Sequence, residues 1–279
     1  MIAPSEDFIT TEVLYLVRDP RYHEEKPYAI AYDAGGMIPQ TNMTNESFPI
    51  QIQNVRNLQV PNSFDDFGFA VAKLDDKWTA AQFRDEIIVK ERFYPQVERI
   101  LKKQFPDAIA VRVIEHNLRK RDMRFSGTEE ISETVQPATC VHADYSLEAA
   151  EKTARAFYKD VEFGRLATIN FWTSFQGPGN DWPLALCDYR TIDYDTEAIA
   201  ADRVYHNRFT ENQRYYHSPE HKWFYVKDLG ADEVLMFRQT DSSLEGGGSV
   251  AHTSFNNPKA DSDAAPRESI ELRAFVFFK

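Results

Sequence analysis

The chain has 279 residues, of which 42% are hydrophobic and 27% are charged, so it is expected to fold around a substantial core rather than remain disordered. Its 32 Lys and Arg stand against 44 Asp and Glu, which gives a formal charge of −12 and favours solubility. An acidic chain without a long basic run is repelled by nucleic-acid phosphates and by anionic lipid, and we expect no nucleic-acid or membrane partner.

Two cysteines, Cys140 and Cys187, are too few for a disulfide framework, and neither belongs to a CxxC pair. Residues 1–7 have neither the basic nor the apolar region of a secretory signal, and no apolar run reaches the length that spans a membrane. These features predict a cytoplasmic location. They do not indicate an oligomeric state.

The N-terminal third of the chain is predicted to combine short strands with loops. Residues 11–17 and 28–32 contain β-branched and aromatic side chains and are expected to form strands. Residues 42–54 are mostly polar and are interrupted by Pro49, which favours a loop.

Helical patterns follow in the middle of the chain. A short helix is expected over residues 79–88, and a longer one over residues 90–104, ended by Pro106. A further helix is predicted over residues 147–158, with Ser146 as its N-cap. The longer segment forms one apolar face at helical spacing from Phe93, Val97, Ile100 and Leu101.

Most of the remaining segments are predicted strands with turn residues between them. They are residues 108–115, 166–172, 184–190, 223–226, 234–238, 250–255 and 269–278. Several short strands late in the chain, after early helices, predict a mainly β fold: a double-stranded β-helix, or jelly-roll barrel, with helices supporting one side. We expect a single domain over residues 1–279.

Metal-ligating side chains recur on the predicted strands. Because residues i and i+2 of a strand point to the same face, His142 and Asp144 are expected to project together. His252, on a strand much later in the chain, offers a third ligand. Two histidines and one carboxylate with open coordination positions form the facial triad of non-haem iron(II) oxygenases. His142, Asp144 and His252 are therefore the predicted catalytic and metal-binding residues, with O2 as co-substrate at an open position.

An Arg-x-Ser sequence after the last histidine predicts a carboxylate site. Arg267 and Ser269 would share one face of a strand and could bind the carboxylate of 2-oxoglutarate or of an acidic substrate. Arg273 is the alternative cation for this role. Asn170 and Trp172 alternate along another predicted strand and are expected to line the same pocket.

Two other segments have alternative interpretations. His217 and His221 complete the letter pattern of a zinc peptidase, His-x-x-Glu-His, but Pro219 between them disrupts the helix that this chemistry needs. We expect a polar loop at the barrel mouth there. Residues 239–248, rich in Gly and Ser, are predicted to form either a lid or an ordinary exposed connection.

These motifs resemble the fungal hydroxylase/desaturase family of AsaB type. The similarity is good from about residue 65 to residue 279 and loose before it. It rests on Val141-His142-Ala143-Asp144 and Pro266-Arg267-Glu268-Ser269, and on residues 67–69, 115–119, 182–188, 232–237, 252–255 and 270–273. The resemblance implies a non-haem Fe(II) oxygenase with His142, Asp144 and His252 as ligands. It further implies 2-oxoglutarate as a possible co-substrate, in an enzyme that hydroxylates, desaturates or oxidatively cyclises a small carboxylate- or amino-acid-derived metabolite of fungal secondary metabolism.

One position departs from the family pattern. Relatives usually carry Asn-x-Trp-Arg-Pro, and Thr173 stands here where the Arg is usual, so a dicarboxylate would lose a nearby cation. Two alternatives follow. One is an iron oxidase of isopenicillin N synthase type, which acts on an amino acid without 2-oxoglutarate and uses Arg267 to hold the substrate carboxylate. The other is a non-catalytic jelly-roll binding module.

Overall fold

The computed structural model describes residues 8–58, 63–122, 124, 135–176 and 178–279. Its strands are β1 (Phe8–Leu16), β2 (Tyr28–Ile30), β3 (Asn45–Asn54), β4 (Phe69–Lys73), β5 (Ala110–Lys120), β6 (His142–Ala143), β7 (Arg165–Ser174), β8 (Leu184–Cys187), β9 (Ala198–Val204), β10 (Phe209–Tyr215), β11 (Trp223–Tyr225), β12 (Glu233–Asp241), β13 (His252–Ser254) and β14 (Glu268–Phe278). Its α-helices are α1 (Phe64–Phe67), α2 (Ala80–Arg84), α3 (Glu86–Ile88), α4 (Tyr94–Gln104), α5 (Leu147–Phe157) and α6 (Tyr194–Glu197).

Two curled sheets form the barrel. The larger has nine strands in the order β1-β3-β11-β8-β13-β6-β10-β9-β2, and the smaller has five in the order β4-β12-β7-β14-β5. A β-bridge pairs Leu14 of β1 with Cys140, just before β6, so the edge strand β1 also contacts the middle of the larger sheet. The predicted mainly β jelly-roll fold is confirmed.

The five-stranded sheet separates α2–α4 from the barrel interior, whereas α5 packs on the opposite face, against Phe275 and Phe277 of β14. Along β7 the odd-numbered Ile169 and Phe171 pack with Leu101 of α4 in one apolar cluster. The even-numbered Asn170 and Trp172 face the interior and line its cavity. Full burial of an aliphatic or aromatic side chain stabilises the fold by roughly 1.5–3 kcal/mol. Burial of the odd-numbered residues against the helices therefore fixes the even-numbered residues of β7 on the face toward the barrel interior.

Strand β14 follows the same rule, with its parity reversed. Its even-numbered Leu272 and Val276 belong to the apolar layer against the helices. Its odd-numbered Ser269, Glu271 and Arg273 are on the opposite side, where they make polar contacts. One strand therefore supplies core packing on one face and charged groups on the other.

The predicted helices form, with one interruption. Thr79 begins α2 with a capping box, but Asp85 is extended and starts a new helix by accepting the backbone N–H groups of Ile87 and Ile88. From Glu86 the helix continues through a π-helical segment, Val89–Phe93, into α4. Ser146 caps α5 as predicted, with its Oγ accepting a hydrogen bond from a backbone N–H. No helix in the described part of the chain is both long and apolar enough to cross a membrane.

The predicted loop over residues 42–54 is wrong. Asn45–Asn54 forms β3, which pairs with β1 along its whole length. Proline has no backbone N–H to donate, so it is excluded from central strands of a sheet, but it is tolerated where no neighbouring strand needs that hydrogen bond. Pro49 occupies such a position, because β11 joins β3 only at residues 52–54.

Candidate metal centre

The two predicted histidine ligands lie opposite each other on neighbouring strands. His142 of β6 and His252 of β13 are direct antiparallel partners, so their side chains leave the sheet on the same face. Both are buried, and their ring centroids are 4.3 Å apart. Strand pairing therefore joins two residues that are far apart in the sequence.

Backbone carbonyls set the tautomer of both imidazoles. The His142 Nδ1 lies 2.8 Å from the Cys140 carbonyl oxygen, and the His252 Nδ1 lies 3.2 Å from that of Val250. A carbonyl oxygen only accepts, so each Nδ1–H donates and each Nε2 is left with a lone pair. This is the second-shell pattern that orients metal-binding histidines.

Asp144 completes the group. Its Oδ1 is 3.5 Å from the His142 Nε2, and its Oδ2 is 4.0 Å from the His252 Nε2. One ligand atom from each residue can be chosen so that all lie within 4.8 Å of one another, and no other such group occurs among the described residues. The structure brings the three predicted residues together; their role as iron ligands stays a prediction.

The electrostatics of the site favour the ligand forms of Asp144 and His252. Burial by itself would raise the pKa of Asp144, but the Arg273 guanidinium and the neighbouring His142 hold it well below its usual range. Burial, and then the neighbouring His142, lowers the pKa of His252 to about 3. The site therefore presents a carboxylate and a neutral imidazole, the forms that bind metals.

Arg273, the alternative cation for the predicted carboxylate site, is bound by carboxylates of the chain. Its Nε donates to the Asp144 Oδ2 at 3.1 Å, its Nη1 to Glu115 at 2.7 Å and its Nη2 to Glu271 at 3.1 Å. All three nitrogens are thus engaged by carboxylates of the chain itself. Arg119 also binds Glu271 through two nitrogens, at 2.9 and 3.0 Å.

Arg267 is placed differently. Its side chain is 2% exposed, and its guanidinium donates to the Trp182 carbonyl and the Ser254 hydroxyl through Nη1, and to the Ser269 hydroxyl through Nε. Within the described ranges no carboxylate forms a salt bridge with this guanidinium. Burial, and then the like charge of Arg119, lowers its pKa to about 9. An unpaired buried cation is costly, so this position favours an anionic ligand.

One cavity contains both features. Its walls include His142, His252 and Arg267, so two residues of the triad and the buried arginine line the same cavity. The predicted lining residues Asn170 and Trp172 are both in its wall. The remaining wall is contributed by Arg119, Ala138, Leu184, Phe237, Ser254 and Glu271.

Thr173 does not remove a cation from this cavity. It is buried on the opposite face of β7 from Asn170 and Trp172, and its hydroxyl donates to the Glu233 carbonyl at 2.9 Å. An arginine at this position would leave the strand on the side of the helices. The departure from the family pattern is therefore outside the site.

The segment over residues 239–248 is only in part the exposed connection that its composition suggested, because Ser243, Glu245 and Gly246 are exposed and its two ends are buried. Gln239 and Thr240 are buried within β12, and Gly247 and Gly248 are also buried. The Gly248 carbonyl accepts a hydrogen bond from the Arg238 Nε at 2.7 Å. Gln239 belongs to the site, because its Oε1 accepts the backbone N–H of Asp144 at 2.6 Å.

His217 and His221 lie in a loop, as expected, but the His221 side chain is buried, and neither histidine belongs to a group of three metal-ligating side chains among the described residues. Its imidazole is buried between the Tyr15 hydroxyl, 2.9 Å from Nδ1, and Glu197, 3.0 Å from Nε2. His217 stacks on Phe48, with centroids 4.2 Å apart. Both histidines pack beside β1 and β3, and neither lines the cavity of the triad.

Replacing His217 or His221 with Ala is therefore expected to leave the iron content unchanged. His221→Ala should lower the stability, since Tyr15 and Glu197 lose a buried partner at a typical cost of about 1–3 kcal/mol. Metal analysis combined with thermal unfolding checks both statements. Loss of metal from a variant that is still folded would restore the peptidase interpretation.

Comparisons with known proteins identify the family of the chain. The model of the oxidoreductase/YMDC permease-like domain family matches residues 14–277. Hydroxylase/desaturase CTB9 of Cercospora beticola is 29% identical over 271 residues, which cover 88% of this chain and 81% of that protein. The Fe(II)/2-oxoglutarate-dependent dioxygenase nvfI of Aspergillus novofumigatus is 34% identical over 147 residues, or 51% of this chain and 53% of the relative.

A solved structure shares the whole architecture. The iron and alpha-ketoglutarate-dependent endoperoxidase NvfI superposes with a TM-score of 0.84 at 23% identity, over 98% of this chain and 99% of that one. This likeness shows a common fold. Because the family model spans almost the entire sequence, the chain belongs to the oxidoreductase/YMDC permease-like domain family and, with its hydroxylase/desaturase relatives, to the fungal non-haem iron oxygenases.

Proposed function

We propose that the protein is an Fe(II)- and 2-oxoglutarate-dependent oxygenase that oxidises a small molecule. The observation that carries the proposal is the cavity lined by His142, His252 and Arg267, whose guanidinium forms no salt bridge with a carboxylate among the described residues. A metal triad alone fits many enzymes, and a buried arginine alone fits many folds. Their coincidence in one cavity matches an enzyme that holds a metal and an oxo acid together.

The donor set fits iron(II). Two neutral imidazoles and one carboxylate are the facial triad, which leaves the other coordination positions open. The observed 3.5 and 4.0 Å separations between Asp144 oxygens and the two Nε2 atoms are near the roughly 3 Å expected for ligands about 2.1 Å from one ion. We assign iron binding to His142, Asp144 and His252.

The guanidinium of Arg267 fits one carboxylate of 2-oxoglutarate. Ser269 and Ser254 hold it from the interior side, and the Trp172 ring lies against it, with the guanidinium carbon 5.1 Å from the ring centroid. These contacts fix its direction, and no described carboxylate forms a salt bridge with it. Both relatives named for 2-oxoglutarate or alpha-ketoglutarate above support the same co-substrate.

With iron, 2-oxoglutarate and O2 bound, such a centre supplies the oxidising power for hydroxylation, desaturation or ring closure at a C–H bond, while 2-oxoglutarate becomes succinate and CO2. The chain's own residues position and shield this chemistry. Phe237 and Leu184 provide apolar walls that limit water, and Phe237 packs edge-on against His252. The Arg119–Glu271 pair gives the wall a polar region that can orient a substrate.

We further propose a small carboxylate- or amino-acid-derived substrate and a single domain over residues 1–279. Cys140 and Cys187 are both buried and are not joined to each other in a disulfide, which suits the reducing cytoplasm that we propose as the location.

The proposal is tested by O2 uptake with Fe(II), with and without 2-oxoglutarate, across small carboxylic and amino acids. We expect O2 consumption and succinate release that both require 2-oxoglutarate. O2 uptake that needs only an amino-acid substrate would instead support the isopenicillin N synthase type of reaction. Absence of iron binding and of O2 uptake under every condition would contradict an oxygenase.

A further inference from the structure

The carboxylate of Asp144 is held unequally. Its Oδ2 accepts the Asn170 Nδ2–H at 2.6 Å and the Arg273 Nε–H at 3.1 Å. Its Oδ1 lies 3.5 Å from the His142 Nε2, the one contact with a donor that the described side chains give it. A carboxylate oxygen offers about two lone-pair sites, so the two donors fill Oδ2, whereas Oδ1 has only the long contact with His142.

We propose that Asn170 and Arg273 are positioning residues that reserve Oδ2 for the protein, so that Asp144 binds the metal through Oδ1 alone. This inference rests on the proposed function, since it concerns how the metal is held. A carboxylate that binds through both oxygens takes two of six positions in an octahedral site. Restricting Asp144 to one oxygen keeps one more position open for an exogenous ligand.

The surroundings make this restriction rigid. The Asp144 backbone is fixed by Gln239, whose Oε1 accepts its N–H at 2.6 Å. Arg273 is itself held by Glu115 and Glu271, and Arg119 holds Glu271 from the other side. Arg273 therefore cannot move away from Oδ2 without breaking its contacts with Glu115 and Glu271.

Position in the sheet explains why both donors reach the same oxygen. Asn170 of β7 and Arg273 of β14 are register partners, so their side chains leave adjacent strands side by side on the interior face. The pair thus forms one two-residue clamp from two strands. Neither Asn170 nor Arg273 is an expected metal ligand. Core packing does not require that both contact the same oxygen of Asp144.

The test counts the waters on a bound metal. Mn(II) replaces iron, and water-proton relaxation measures how many exchangeable waters it carries in the wild type and in Asn170→Leu, which removes the donor at similar size. With Asp144 on one oxygen, a six-coordinate Mn(II) has three open positions; with both oxygens bound it has two. We expect Asn170→Leu to lose about one third of the wild-type bound-water signal without weaker Mn(II) binding.

Thr168→Val is the matched control. Thr168 lies on the same face of β7, is fully buried, and loses a hydrogen bond of 3.0 Å to Thr240 without touching Asp144. It should keep the wild-type water count. Arg273→Lys is the second variant, because it retains a cation for Glu115 and Glu271 but lacks the Nε donor, and it should show the same loss.

An unchanged water count in folded Asn170→Leu and Arg273→Lys would overturn the proposal, whether or not the Mn(II) affinity changes. A weaker affinity with an unchanged count would assign these residues a purely structural role. Failure of the proposed function appears differently: the wild type would bind no Mn(II) or Fe(II), or His252→Ala would bind it equally well.

Discussion

Replacing His252 with Ala is expected to abolish iron binding and O2 consumption while the barrel stays folded, and His142→Ala should do the same. Each variant removes one of the three protein ligands that we propose for the metal. Loss of outer-shell partners of metal ligands typically costs roughly 10–100-fold in affinity, and loss of a ligand should cost at least as much. The imidazole of His252 is neutral in the fold, so its removal leaves no buried charge unpaired.

Anaerobic reconstitution with Fe(II), followed by metal analysis and thermal unfolding, measures both effects. His221→Ala is the matched control, because it removes another buried histidine of the larger barrel face without touching the triad. Wild-type turnover in either His142→Ala or His252→Ala would show that the ligand assignment is wrong.

Arg267→Leu is expected to raise the apparent KM for 2-oxoglutarate by roughly 10–100-fold, equivalent to about 1.4–2.8 kcal/mol, which is the scale of a charge-assisted paired contact. The affinity for Fe(II) should be nearly unchanged, since Arg267 does not contact the triad residues. Arg267→Lys should recover part of the affinity, because it restores the charge but not the planar fork of donors.

Titrating 2-oxoglutarate and the substrate separately shows which of them Arg267 holds. A selective rise in the KM for the substrate would favour an enzyme that takes its electrons from that substrate. If both KM values stay at the wild-type level, Arg267 is not the anchor; Arg273 is unsuited to replace it, because its nitrogens already bind Asp144, Glu115 and Glu271.

The sequence was sufficient to predict the parts of the site that depend on strand alternation. The His-x-Asp spacing placed His142 and Asp144 together, although β6 itself covers only His142–Ala143. Long apolar strands and the helix with a continuous apolar face were also predicted, since their burial dominates their local pattern. By contrast, β3 and β10 were not predicted, because their sequences mix polar and apolar residues. Such strands are held mainly by backbone hydrogen bonds, which leave little sign in the sequence.

Residues that support the site were harder to predict, because their roles depend on which strands are neighbours. Arg273 resembled a carboxylate anchor until the pairing of β14 with β7 placed it beside Asn170 and Asp144. Gln239 was assigned to a loop, because the residues that follow it are rich in Gly and Ser and the position at which β12 ends was placed too early. Thr173 looked like a lost cation because a linear motif does not reveal that its side chain faces the helices.

The division of β14 between its two faces has a consequence for how this enzyme can diversify. Leu272 and Val276 secure the strand against the helical layer, whereas Glu271 lines the cavity one position away from Leu272. Substitutions at cavity-facing positions that neither bind the metal nor clamp Asp144 can therefore alter the molecule accepted without disturbing the core. A directed-evolution library restricted to wall residues such as Leu184 and Phe237 would explore new substrates while the helix-facing positions keep the scaffold constant.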